Sequence, residues 1–159
     1  MILGGIALAF LCWAFTFGWS GGNFWIKIGI SVLIVSSYSL FRQRPTINVR
    51  LQSFLLGALS ALALYIIFFV GNALAPYIVP HARDSVGGIY ALGTGSNRIL
   101  VFLLLLLITG PGEEIFWRGF LQKHLMDKCG NVGGYVATTV IYAAVHVFSG
   151  NLILTLAAF

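Results

Sequence analysis

From Leu51 to Pro80 the chain carries no charged residue. A stretch of about 20 apolar residues is enough to cross the hydrocarbon core of a bilayer as a helix. This one exceeds that length, and it constrains the chain more than any other feature. The rest of the sequence agrees with it. Of 159 residues, 59% are hydrophobic and 8% are charged, against about 25% charged in a soluble domain. There is too little polar side chain to clothe a water-soluble globule. The expected fold is all-α: a single transmembrane domain over residues 1–159, a polytopic helix bundle with five complete helices and the start of a sixth.

The five runs are Ile2 to Trp19, Phe24 to Phe41, a helix from Phe54 to about Leu74 that frays at Asn72 and Pro76, Ile99 to about Leu125, and Val132 to about Phe148. The first run has no preceding basic residue and no small-residue cleavage site, so it reads as a retained helix rather than a signal peptide. Lys27 lies one turn inside the second run, where it can snorkel to the interface. Residues 80–98 read as an interfacial loop containing Gly87, Gly88, Gly93 and Gly95. Its Gly93-Thr-Gly-Ser-Asn97 stretch matches neither phosphate-loop pattern. A sixth apolar run begins at Leu152 and has eight residues before Phe159, too few to span lipid. The chain therefore reads as truncated at its carboxy terminus.

The net charge is +5. Most of the basic residues fall between the apolar runs, with no basic stripe and no interleaved aromatics, so nucleic acid is excluded as a partner. With the amino terminus cytoplasmic, loops 42–50 and 123–131 hold three and two basic residues, and the opposite loops at 20–23 and 80–98 hold none and two. This bias favours that orientation. Cys12 and Cys129 show neither CxxC nor metal spacing and support no disulfide. Cys12 reads as a small apolar residue in a helix, and Cys129 as a loop residue.

Only four acids exist in the chain. Asp84 and Asp127 fall in the expected loops, whereas Glu113 and Glu114 are neighbours inside a membrane helix. A charged side chain at bilayer depth costs roughly 2.5–3.5 kcal/mol on insertion scales, and such residues are functional by default. Arg118 follows Glu114 by four residues, so the two share a helix face and can pair. The plain alternative is a structural ion cluster of these three. Glu113 lies roughly 100° around the helix, free to face a cavity and act as a general base. Removing Arg118 is expected to strand a buried carboxylate.

Gly110-Pro111-Gly112 precedes the pair. Either a new helical segment starts there, placing both acids in its first turn beside the positive end of the helix dipole, or the proline makes a simple kink. His146 stands four residues after Tyr142 on the next helix, so ring and imidazole share a face. A lone histidine on an apolar helix is commonly a packed, hydrogen-bonded residue, but here a carboxylate on the neighbouring helix favours a catalytic role. Gly133, Gly134, Ala137, Ala143 and Ala144 would let that helix approach its neighbours closely. His81 and His124 read as interfacial. If a metal such as zinc were bound, its ligands would be Glu113, Glu114 and His146. The chain has no HExxH and no second well-placed histidine, so a zinc site is the weaker idea.

Glu113-Glu114-Ile-Phe-Trp-Arg118-Gly119 resembles the EExxxR motif of the CAAX protease and bacteriocin-processing family (abortive-infection-like) of glutamate-type intramembrane proteases. Tyr142-Ala-Ala-Val-His146 resembles the FxxxH motif of that family, with tyrosine in place of phenylalanine. The resemblance implies an endopeptidase that cleaves a membrane-associated peptide or protein at or within the bilayer; the favoured reading requires no cofactor, with a divalent metal such as zinc as the alternative. Glu113 would activate the attacking water with help from His146, and Glu114 and Arg118 would order the site. The family's third motif, HxxxN or HxxxD, has no counterpart in these 159 residues. Two other readings are a transporter or channel subunit that uses the acid pair for protons or cations, and a non-catalytic family member that binds a membrane partner. Against the transporter, the first and third runs lack acids entirely.

Overall fold

A computed structural model of the chain describes residues 1–43, 50–78 and 81–159. Every element among them is helical, with no strand. The helices are α1 (Ile2–Gly18), α2 (Phe24–Arg42), α3 (Leu51–Ile78) and α4 (Ala82–Ala91), then α5 (residues 98–129), α6 (residues 131–146) and α7 (Leu152–Ala157). The spans Phe24–Arg42, Leu51–Ile78 and Arg98–Ser149 are each long and apolar enough to cross a membrane. The last is folded in two at Gly130, whose φ of 74° lies in the left-handed region that favours glycine. With their apolar surfaces turned outward, these helices make the chain an integral membrane protein. The five expected apolar helices are present, and α7 begins the sixth run.

Local chemistry explains the boundaries. Asn23 caps α2 by accepting from the Trp25 and Ile26 backbone N–H groups, Asn97 caps α5 in the same way, and Asn151 caps α7. The structure departs from the sequence reading in four places. Residues 82–91 form a helix rather than loop: Asp84 sits in its first turn, the end where an acid is favoured, and Gly87 and Gly88 are simply carried within it. The helix α3 runs past Asn72 and holds Pro76 in its last turn, where the missing N–H forfeits a single terminal bond. Asp127 and Cys129 lie on the helical end of α5 rather than in a loop. Finally, Gly110-Pro111-Gly112 neither restarts nor breaks a helix. Residues Leu105–Thr109 widen into a π-turn, and the Gly110 N–H reaches back five residues to the Leu105 carbonyl. The extra residue in the turn accommodates the proline ring. Glu113 and Glu114 therefore lie mid-helix, away from any helix amino terminus.

The core is built from α1, α2, α5 and α6. Ala9, Cys12 and Trp13 of α1, Ile28, Val32 and Val35 of α2, Phe116, Trp117, Phe120 and Leu121 of α5, and Val145 of α6 form one buried cluster. Polar contacts join α1 to α2: the Thr16 and Ser31 hydroxyls both donate to the Cys12 carbonyl, at 2.8 and 3.1 Å. Lipid tails offer no hydrophobic drive between helices, so close packing and such bonds hold them together. Close approach depends on glycine at two points near the site. A Cβ on Gly112 would collide with the Val32 side chain, and one on Gly134 would collide with the Met126 backbone.

Candidate active site

The π-turned register of α5 continues through Glu114–Gln122 and sends the two adjacent acids in different directions. Glu113 is half-buried and faces α6, where the Tyr142 hydroxyl donates to its Oε2 at 2.8 Å. Glu114 turns outward and pairs with Arg118, as the four-residue spacing predicts. The pair is not buried, however. The side chains of Arg118 and Glu114 are 66% and 57% exposed. Truncating Arg118 therefore releases a carboxylate to the open rim instead of stranding it in the core. An exposed pair of this kind contributes little.

Both acids line a cleft of about 430 Å³, together with Trp117, Arg118, Tyr135, Thr138 and Tyr142. Leu64 and Phe68 of α3 and Ala157 to Phe159 close its flanks. The cleft thus has polar side chains on one wall and apolar side chains on the other.

His146 is buried one helical turn beyond Tyr142 and does not line this cleft. Its Nδ1 lies 2.7 Å from the Tyr142 carbonyl. A carbonyl only accepts, so Nδ1 carries the proton. Nε2 then accepts from the Trp13 indole N–H at 3.3 Å. The imidazole also packs edge-on against the Trp13 and Tyr142 rings, with centroids at 5.9 and 4.7 Å. Glu113 and His146 are therefore linked through Tyr142, by its hydroxyl on one side and its carbonyl on the other, with no direct hydrogen bond between them.

The donor set does not suit a metal. Glu114 is turned to Arg118, both His146 nitrogens are engaged, and no three His, Cys, Asp or Glu side chains converge among the described residues. His81 meets Asp84 at 3.4 Å, and His124 bonds the Phe120 carbonyl at 2.7 Å, so both serve local contacts. Of the small residues on α6, Gly134 and Ala143 are fully buried.

Trp13 and Trp117 were assigned no role in the sequence reading, and Tyr142 was seen without its partner. Trp13 is 133 positions from His146, and no local pattern links them. The Tyr142 hydroxyl was visible as a departure from FxxxH, although its partner was not. Trp117 lies within the first motif, between Glu114 and Arg118, and its Nε1 is buried with no hydrogen-bond partner among the described residues.

Comparison with curated proteins gave no match, and comparison with solved structures gave none. Residues 95–159, the segment that carries Glu113, Glu114, Arg118, Tyr142 and His146, match the family model described as Type II CAAX prenyl endopeptidase Rce1-like.

Proposed function

We propose that the chain is an intramembrane peptidase that hydrolyses a peptide bond of a membrane-tethered substrate, with Glu113 as general base. The observation that carries this reading is the placement of Glu113. Its carboxylate is half-buried, lines a cleft flanked by lipid-facing residues, and is held by the Tyr142 hydroxyl. In the reaction, Glu113 takes a proton from water while the water oxygen bonds to the scissile carbonyl carbon. The C–N bond then breaks, and the new amine receives that proton from the Glu113 carboxyl. His146 is the second group. It acts through Tyr142, whose carbonyl accepts from the His146 Nδ1–H while its hydroxyl donates to Glu113. Glu114 and Arg118 shape the rim. A peptide bearing a prenylated CAAX end is the first substrate to try, since the matched family is described by that specificity.

The test is cleavage of membrane-tethered peptides, prenylated and unprenylated, by the purified chain in liposomes. Glutamine keeps the size of glutamate but cannot take a proton from water, so Glu113→Gln should lower the rate by about 10²–10⁴-fold. Full activity in that variant ends this reading. Proton or cation flux that depends on Glu113, without cleavage, replaces it with a transporter.

A further inference from the structure

At the other end of the bundle from the acids' rim stands a second cavity, of about 610 Å³, bounded by the α1–α2 turn, α4 and the start of α7. Its walls are tied together. The Trp25 indole donates to the Leu92 carbonyl at 3.0 Å, and the Asn151 amide donates to the Ser85 carbonyl at 2.7 Å. Lys27 lines this cavity and is only 8% exposed. Its ammonium donates to the Trp19 carbonyl at the carboxy-terminal end of α1, so the snorkelling expected from sequence ends against protein. No carboxylate answers it. All four acids of the chain are among the described residues, and the ion pairs they form are His81–Asp84 and Arg118–Glu114.

A buried charge must be compensated. The end of α1 supplies the equivalent of roughly half a negative charge, which leaves about half of the lysine charge unmatched. Two of its three N–H donors are also without a partner among the described residues. We propose that this cavity binds the phosphodiester of an anionic phospholipid headgroup, with Lys27 as its counter-charge. The hydroxyls of Ser20 and Ser149, which line the same space, provide further polar contacts. Asp84 stands on the rim with its carboxylate turned to His81 and 83% exposed. A negative rim favours a singly charged phosphodiester over a doubly charged phosphate monoester. The lipid source follows from position. Trp19, Phe24 and Trp25 cluster at this end of the bundle, where aromatic side chains mark the headgroup level, and apolar helix surface for acyl chains lies beside it.

The experiment is native mass spectrometry of the full chain released from nanodiscs containing equal phosphatidylglycerol and phosphatidylcholine with matched acyl chains. The wild type should retain one phosphatidylglycerol with about a fivefold preference, the size expected for one lysine at an anionic surface. Lys27→Met should bring the preference to parity, and Lys27→Arg should keep it. Gly88→Leu provides a check that leaves Lys27 intact. A Cβ there meets nothing closer than the Asn151 amide at 3.9 Å, and Gly88 lines the cavity, so the longer leucine side chain should fill that space and expel the lipid. Inorganic phosphate at millimolar concentration should not displace the lipid. If it does, the same phosphate site serves a soluble anion. Undiminished preference for phosphatidylglycerol in both Lys27→Met and Gly88→Leu overturns the proposal. This result is independent of peptide cleavage, so neither outcome bears on the role of Glu113.

Discussion

The helices α2 and α3 are both long and apolar enough to cross a membrane, yet they differ completely in what they touch. Not one residue of α3 is buried, whereas α2 buries eight, Lys27, Gly29, Ser31, Ser36 and Ser39 among them. The helix that packs best is the one interrupted by small and polar residues, and the uninterrupted helix faces outward. In water the reverse would hold. In lipid, tails solvate leucine as well as another helix does, so association follows close approach and hydrogen bonding. Hydropathy therefore locates the bilayer, and small polar residues locate the protein interior. The site follows the same division: Glu113 faces the packed side of α5, and Leu64 and Phe68 bring the apolar side of α3 to the cleft.

The comparison is sharpest at Trp13, which is fully buried between Trp117 and His146. Trp13→Ala should cost about 3–5 kcal/mol in reversible unfolding in detergent, whereas Leu59→Ala on the outward α3 should stay within about 0.5 kcal/mol. Equal costs would mean that α3 packs as tightly as α1. The next effect in size is Gly112→Ala, where the new methyl meets Val32 across the α2–α5 contact. Overpacking there should cost about 1–3 kcal/mol in the same measurement, and a neutral result would mean that the two helices sit farther apart. Tyr142→Phe keeps the ring against Trp117 and His146 but removes the donor to Glu113. A net hydrogen bond is worth about 0.5–1.5 kcal/mol, so kcat/KM should fall by roughly tenfold or less with little change in unfolding temperature. The smallest effect belongs to the exposed rim. Arg118→Ala should alter stability by about 0.3–0.5 kcal/mol, and a loss of several would return the pair to the buried state expected from sequence.

The bundle was legible because bilayer thickness imposes one length on every apolar run, and Glu114–Arg118 was legible because helix geometry makes residues four apart neighbours. What depended on medium-range accommodation was not. Pro111 reads as a helix start or a kink until the π-turn at Leu105–Thr109 absorbs it, and a helix over Ala82–Ala91 is hidden by its two glycines. The partnership of His146 was illegible for a different reason. Its Nε2 bonds an indole from the first helix, and such a contact arises only once the helices have packed. The tyrosine at position 142 could be seen as unusual, but that its hydroxyl reaches Glu113 depends on the separation of α5 and α6.

The central claim is that two adjacent glutamates have different work because the helix turns one inward and one outward. Its most direct measurement is the cleavage rate of a membrane-tethered peptide by Glu113→Gln and by Glu114→Gln, each in liposomes at matched protein content. The account predicts a loss of about 10²–10⁴-fold for Glu113→Gln. For Glu114→Gln, whose exposed carboxylate meets only Arg118 among the described residues, it predicts a loss of roughly tenfold or less, the size of one net hydrogen bond. Equal losses, or the larger loss at Glu114, would contradict it.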